Sequence, residues 1–327
     1  MPQITVLTQT YNRETLLPRA IEAVLSQTFT DFTYLIVDNA STDHTPEIIE
    51  KYKKQDSRIQ SIRMPENFIL HPNCLENRPL LEQMKKLLYQ PEDEFHFQLD
   101  DDDYMHQDTL EELMRLAKSY QADIATVGSQ WVYPDRHMQD KYVFEGTYVY
   151  TRVQAVTELL KRERFNNAPG GKLYRKFVCN LDLSTEKLLG HDIYREYRRM
   201  CRAKRVVATG QPKYFFYRHG QNTSGLNTAE QITPEKLQVY LESNRERTLF
   251  LQRELPEVAS FAQYCEASFM ISLYQRIHLL RVDSCYPIAD KMLDHLRQWR
   301  IQLWQSPWLR DDERTFLEQK QVLEYGK

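Results

Sequence analysis

In the first half of the chain, short apolar runs alternate with stretches whose apolar residues return every three or four positions. Residues 4–7 are a run of the first kind, and Leu17, Ala20, Ile21, Val24 and Leu25 then recur on one helical face. Residues 34–37 predict a second buried strand, Pro46 opens a helix where its missing N–H costs nothing, and residues 58–62 alternate as a third strand. A helix over 75–88, a strand over 95–99, a helix marked by Leu110, Leu113, Met114 and Ala117, and a strand over 124–127 continue the series. This alternation predicts an α/β fold with a doubly wound, mostly parallel sheet. In such sheets ligands sit at the C-terminal strand ends, so the residues just after each strand are where chemistry belongs.

Further along, residues 129–145 are aromatic and irregular, and 166–171 (NNAPGG) form the strongest turn cluster. A basic, helix-like stretch over 193–205 leads into a strand over 206–217. After Gly225 only long helical patterns remain, with Met270, Leu273, Tyr274 and Ile277 as one apolar stripe and Leu293, Leu296, Trp299 and Leu303 as another. The expected division is an α/β domain over 1–228 and a C-terminal helical appendage over 229–327.

Composition narrows the field. The 43 Lys+Arg and 46 Asp+Glu give a net charge of −3, without the basic excess of a dedicated nucleic-acid binder, so no nucleic-acid partner is expected. Only 9 of the 327 residues are glycine and none precedes Gly128, which excludes a Walker A loop or a G-x-G-x-x-G turn in the N-terminal third. Cys74, Cys179, Cys201, Cys265 and Cys285 never stand in C-x-x-C spacing and read as reduced thiols with no zinc or disulfide framework. The opening MPQITVLTQTYNR lacks a basic n-region followed by a long apolar stretch, and no run approaches the ~20 residues that cross a bilayer. A cytoplasmic protein, free or peripheral to a membrane, is expected.

Candidate chemistry gathers at three strand ends. Asp100, Asp101, Asp102 and Asp103 follow the strand over 95–99; four adjacent carboxylates repel, and a cation is their natural partner, with a solvated helix-capping turn as the alternative. Asp38 takes the same place after the second strand, ahead of the capping candidates Ser41 and Asp43. Tyr11, Asn12 and Arg13 follow the first strand, where a ring can stack on a base and a guanidinium can meet a phosphate.

In this order and spacing, TVLTQTYNR, LSQTFTDF, LIVDNASTDHT and QLDDDDYM resemble the family 2 glycosyltransferases of GT-A fold, over roughly residues 2–225. Gln9 stands where the family pattern usually has Pro. The resemblance implies that Tyr11 and Asp38, with Gln9 beside them, hold a uridine base, and that Asp100 and Asp102 form a D-x-D motif. Its first carboxylate meets ribose and metal-bound water, and its second ligates the Mn2+ or Mg2+ that bridges the diphosphate. Four consecutive aspartates leave the register open by one, Asp103 against Asp102. A divalent cation would then neutralise the diphosphate in place of a Gly-rich loop. Arg78, in CLENRP, corresponds to an arginine that contacts the nucleotide. In LLGHDIYREY, Asp192 becomes the general base of an inverting displacement, with His191 where the family favours Glu or a small residue. In PKYFFYRHG, His219 would complete the metal shell and Arg218 would meet phosphate.

What the resemblance implies is a metal-dependent, inverting enzyme that moves a hexosyl or N-acetylhexosaminyl group from a UDP-type donor to a glycan, lipid-linked or protein hydroxyl. A sugar-phosphate nucleotidyltransferase is disfavoured by the glycine-free N-terminal third. A catalytically silent relative acting as an assembly module stays open. The basic stretch from Arg195 to Arg205 reads as a solvated helix face, and the aromatics from Trp131 to Tyr150 as either an edge hairpin or an acceptor surface. The appendage, with Trp299, Trp304 and Trp308, is expected to close the acceptor groove, make a homodimer contact or touch a membrane surface.

Overall fold

The computed structural model describes residues 3–67, 94–179, 191–220, 222 and 225–323. The chain divides into two compact units, Met1–Gly220 and Gln221–Lys327. The helix expected over 75–88 and Arg78 lie outside the described residues.

The first unit is built on one mixed sheet. Its mutually parallel strands are β1 (Ile4–Thr10), β2 (Phe32–Asp38), β3 (Ile59–Arg63), β4 (Phe95–Gln98), β6 (Ile124–Val132) and β10 (Arg205–Tyr217), joined by β5 (Tyr104–Met105), β7 (Met138–Lys141), β8 (Thr147–Thr151) and β9 (Lys172–Arg175), which run antiparallel to their neighbours. The order is β3-β2-β1-β4-β9-β6-β10-β5, with β7 on β6 and β8 on β10. Strands β1 to β4 pair parallel, and β9 runs antiparallel to both β4 and β6, so β6 and its parallel partner β10 point the same way as the first four. The mostly parallel sheet is therefore present, with β9 wedged into its middle.

Helices α1 (Leu17–Leu25), α2 (Thr45–Gln55), α3 (Thr109–Ser119), α4 (Arg152–Lys161), the single turn α5 (Lys176–Cys179) and α6 (His191–Arg202) complete the unit. Helix α1 buries Leu17, Ala20, Ile21 and Val24 completely, in the same core as Ile4, Val6, Phe95 and Phe97 of the sheet. Full burial of each large apolar side chain contributes roughly 1.5–3 kcal/mol. The polar positions of β1 are closed internally: Tyr34 Oη donates to Thr8 Oγ1 at 2.9 Å, and Thr8 Oγ1 donates to the Leu99 carbonyl at 2.8 Å. That bond fixes the end of β4 beside β1, at the start of the aspartate run.

Two sequence readings are refined. The aromatic stretch over 129–145 opens as an edge hairpin, one of its two readings, since β6 continues to Val132 and turns back into β7. The basic stretch keeps Arg202, Lys204 and Arg205 exposed and Arg195 and Arg198 half-buried, but on α6 Glu196 and Arg199 are buried beside Tyr197 and Met200. A 3.6-residue period carries charge inward here because a buried counter-charge awaits it.

The second unit is helical. It comprises α7 (Pro234–Glu254), α8 (Ala259–Leu279), α9 (Tyr286–Gln298), α10 (Arg300–Trp304) and α11 (Asp311–Gln319). Thr233 Oγ1 caps α7 by accepting the Lys236 N–H at 3.3 Å, with Pro234 at the first helical position. Both apolar stripes are buried inside the unit, Trp299 included. Trp304 and Trp308 remain part-exposed, at 48% and 40%. Among the described residues, no helix is long and apolar enough to cross a membrane.

Candidate functional site

The loops after β1 and β2 are laced to each other. The Asn12 N–H donates to Ser41 Oγ at 3.0 Å, Arg13 N–H to Thr45 Oγ1 at 2.9 Å and Glu14 N–H to Asp43 Oδ2 at 3.1 Å, while Asn12 Oδ1 accepts from Thr42 N–H at 2.8 Å. Asn12 sits in the left-handed region at φ 51°, which Asn tolerates better than most residues. Ser41 therefore serves the loop rather than α2, whose first N–H is taken by Asp43 Oδ1 at 3.0 Å. Tyr11 and Arg13 are left half-buried, and Gln9 is half-buried in β1 opposite Val37. Asp38 is 2% exposed; its Oδ1 accepts the Ser41 N–H at 2.9 Å and its Oδ2 lies 3.4 Å from Arg63 Nε.

The four aspartates divide their work. Asp103 is buried and satisfied: Tyr214 Oη donates to its Oδ2 at 2.8 Å and the Tyr217 N–H to its Oδ1 at 2.9 Å. The expectation that the whole run waits for a cation is thus corrected, because Asp103 belongs to the join between β5 and β10. Asp101 faces the first loop, 3.6 Å from Arg13 Nε. Asp102 faces His219, whose Nε2 lies 2.9 Å from its Oδ2, while Arg19 donates to the Asp102 carbonyl at 2.5 Å. Asp100 accepts from Gln98 Nε2 at 3.2 Å and gives its N–H to Tyr214 Oη at 3.4 Å.

Asp100, Asp101 and Asp102 keep part of their surface in water, yet protein crowds the Asp100 and Asp101 carboxyls, as in a cleft floor. Burial first, then the Asp192 and Asp102 charges, pushes Asp100 up to about 8. Burial and the Asp102 charge push Asp101 up to about 6, against bonding from Thr10 and the Arg13 charge. Carboxyls displaced in this way by burial and by neighbouring charge make this strand end the candidate functional site.

Asp192 lies in the first turn of α6 and is reached by solvent, although protein atoms surround its carboxyl. Desolvation raises its pKa, Glu196 adds to the rise, and Arg195, Arg199 and Lys172 oppose it. Beneath it lies a buried polar layer. Lys172 Nζ, 1% exposed, donates to the Asn166 and Ala168 carbonyls and lies 3.7 Å from Glu196 Oε1. Tyr174 Oη donates to Glu196 at 3.0 Å, and Arg199 lies 3.5 Å from the other Glu196 oxygen. Gly170 and Gly171 let the NNAPGG turn approach: a Cβ on Gly170 would stand 2.4 Å from the Tyr214 ring, and Gly171 adopts φ +75°.

The description Glycosyl transferase family 2 matches residues 5–76, which carry the two laced loops. Through that segment the chain is similar to glycosyl transferase family 2. The chain is 32% identical over 124 residues to the GalNAc(5)-diNAcBac-PP-undecaprenol beta-1,3-glucosyltransferase of Campylobacter jejuni, covering 38% of this chain and 37% of that one. It is 25% identical over 223 residues to the glycosyltransferase GlyA of Streptococcus pneumoniae, covering 65% and 30%. The matches span 37% and 30% of the lengths of these two curated relatives. The fold is also that of TarS from Staphylococcus aureus: its residues 1–349, solved in complex with UDP, superpose with a TM-score of 0.59 at 17% identity, covering 100% of this chain and 93% of that one. The likeness is one of GT-A architecture.

On this scaffold the Asp100–Asp103 run joins Arg13, His219 and Asp192 electrostatically or by contact, whereas Asp38 is held by its own loop and Arg63. Arg19, Tyr104 and Tyr217 are added by the fold: the Arg19 guanidinium lies 4.8 Å from the Tyr104 ring centre and 4.2 Å from that of Tyr217. Nothing in the sequence signals Arg19, because its partners are distant in the chain. Arg218 turns to the Trp131 ring, 4.9 Å away.

Proposed function

We propose that the chain is a metal-dependent, inverting transferase that moves a hexosyl or N-acetylhexosaminyl group from a UDP-type donor to a hydroxyl of a surface polysaccharide or glycoconjugate. The observation that carries this reading is the gathering of cationic and imidazole groups on the carboxylates at the end of β4, with Arg13 3.6 Å from Asp101, Arg19 2.5 Å from the Asp102 carbonyl and His219 2.9 Å from the Asp102 carboxylate. It is supported by the UDP and UDP-GlcNAc complexes solved for TarS, and by the glucosyltransferase named for the Campylobacter relative.

The residues suit a hard divalent ion only in part. Among the described residues no three His, Cys, Asp or Glu side chains stand together as a complete metal shell. Asp102 and His219 stand together, and the Asp102 carboxylate suits Mn2+ or Mg2+ once diphosphate oxygens and water fill the remaining positions, whereas the imidazole is the softer and poorer donor for either ion. Bound there, the ion would neutralise the departing diphosphate. Arg13 and Arg19 lie beside the same run and add cationic donors for phosphate oxygens. Tyr11 offers a ring to the base. Asp192 accepts the proton of the acceptor hydroxyl as that oxygen bonds to the anomeric carbon and the bond to the diphosphate breaks; its raised pKa suits it to this task.

Calorimetry with UDP tests the metal arm: affinity is expected to fall sharply in EDTA and in Asp102→Ala. Equal binding with and without metal would remove the cation from the reading. NMR of the product is expected to show inverted anomeric configuration. A protein that binds UDP-sugars and turns over none of them with any acceptor would instead be an assembly module.

A further inference from the structure

The helical unit contains a cavity of about 380 Å³ among α7, α8 and α9 that uses none of the candidate site residues described above. Its apolar lining comes from Leu241 and Ile288, both half-buried, over Met270 and Met292, which are almost wholly covered. On one side stands Glu266 of α8, 3% exposed. Its Oε1 lies 3.9 Å from Arg245 Nη1 and 3.9 Å from His295 Nε2, too far for hydrogen bonds. His295 Nε2 is buried without a hydrogen-bond partner, while the Glu266 carboxyl has Thr248 beside it. A buried polar atom left so is costly, so a ligand that satisfied it would bind with a real gain.

The pattern selects the ligand. Three groups converge at a separation suited to one bridging atom that donates to Glu266 while accepting from Arg245. A hydroxyl does both; an ammonium only donates and a phosphate dianion only accepts. The charged lining is balanced, Glu242 and Glu266 against Arg245 and Lys291, so no net field recruits an ion. The apolar floor beneath this polar edge asks for a body whose faces are C–H groups and whose rim carries hydroxyls. The volume lies within the range of small-molecule sites. We propose that this cavity is a saccharide-binding site that takes one neutral pyranose residue of a glycan chain, with Glu266, Arg245 and His295 holding its hydroxyls and Leu241 and Ile288 its apolar face.

Saturation-transfer NMR on the full chain, with cellotetraose and tetra-N-acetylchitotetraose as probes and excess UDP present to occupy any nucleotide site, tests this. Binding in the range of about 1 mM is expected. Arg245→Ala and Glu266→Gln are each expected to weaken it at least about tenfold, with unchanged UDP affinity and a native circular dichroism spectrum. Arg245 is half-exposed, so its truncation reports on binding even if the Glu266 variant does not fold. The proposal is overturned if neither probe binds at about 20 mM, in which case water alone bridges these groups. It is equally overturned if binding survives both substitutions, or if glucuronate binds more tightly than glucose.

Discussion

Asp100 shows how much a cleft can change one residue. Its carboxyl, held at about 8, titrates near ~3.9 in the unfolded chain. Between those values the folded protein keeps a proton that the unfolded chain has released, so stability falls as pH rises through that window and levels off above it. Asp101 and Asp103, both raised chiefly by burial, act with the same sign. Asp100→Asn removes one of these titrations. Its Tm in the absence of nucleotide is expected to rise by about 3 °C near pH 8 and to change little near pH 5, while UDP affinity is lost. Differential scanning calorimetry at both pH values checks it; a lower Tm near pH 8 would mean that the charged carboxyl is structurally required. Asp192→Asn should behave differently, keeping UDP affinity while transfer falls by a factor on the order of 100 or more. Near-normal turnover in that variant would move the base elsewhere in the run. The aspartate run was legible in the sequence as a place, since four carboxylates at a strand end are conspicuous. Their division of labour was not, because Asp103 is claimed by Tyr214 and Tyr217, more than a hundred residues away.

At the scale of elements, the strands and helices with full apolar periods, β1, α1, β2 and α3, were readable from pattern alone, and the two strands carry candidate site residues at their C-terminal ends. Strand β9 was not. Four residues, KLYR, hold too little periodicity to signal a strand, and only the antiparallel gap between β4 and β6 makes them one. Yet β9 brings Lys172 and Tyr174 under α6, and so supports the helix that carries Asp192. Buried ion pairs of this kind are costly to break from one side and cheap to replace whole. Lys172→Met is therefore expected to destabilise the first unit by about 3 kcal/mol, since Glu196 keeps only Tyr174 and Arg199. Adding Glu196→Leu to that variant should restore much of the loss. Urea denaturation of the two single variants and the double variant measures the coupling. Additive losses would show that Lys172 and Glu196 do not act as a pair.

For the whole molecule, the functional residues from Gln9 to His219 all fall within Met1–Gly220, and the cavity around Glu266 falls within Gln221–Lys327. Each unit also buries its own core: the sheet and its helices in the first, the two stripes of α8 and α9 in the second. If the units are separable domains, a fragment ending at Gly220 holds every group proposed to bind nucleotide, and its UDP affinity in Mn2+ is expected within about threefold of the full chain. The saccharide binding argued for the cavity should vanish from that fragment, because Arg245, Glu266 and His295 are gone. Transfer to a long glycan acceptor should then fall more than donor hydrolysis, since a second hold on the acceptor raises its effective concentration at the reacting end. Calorimetry, hydrolysis assays and transfer assays on the fragment and the full chain separate these outcomes. A folded fragment that loses UDP affinity would show that the nucleotide site depends on the helical unit. One that transfers to long acceptors as fast as the full chain would show that the helical unit has no part in holding them.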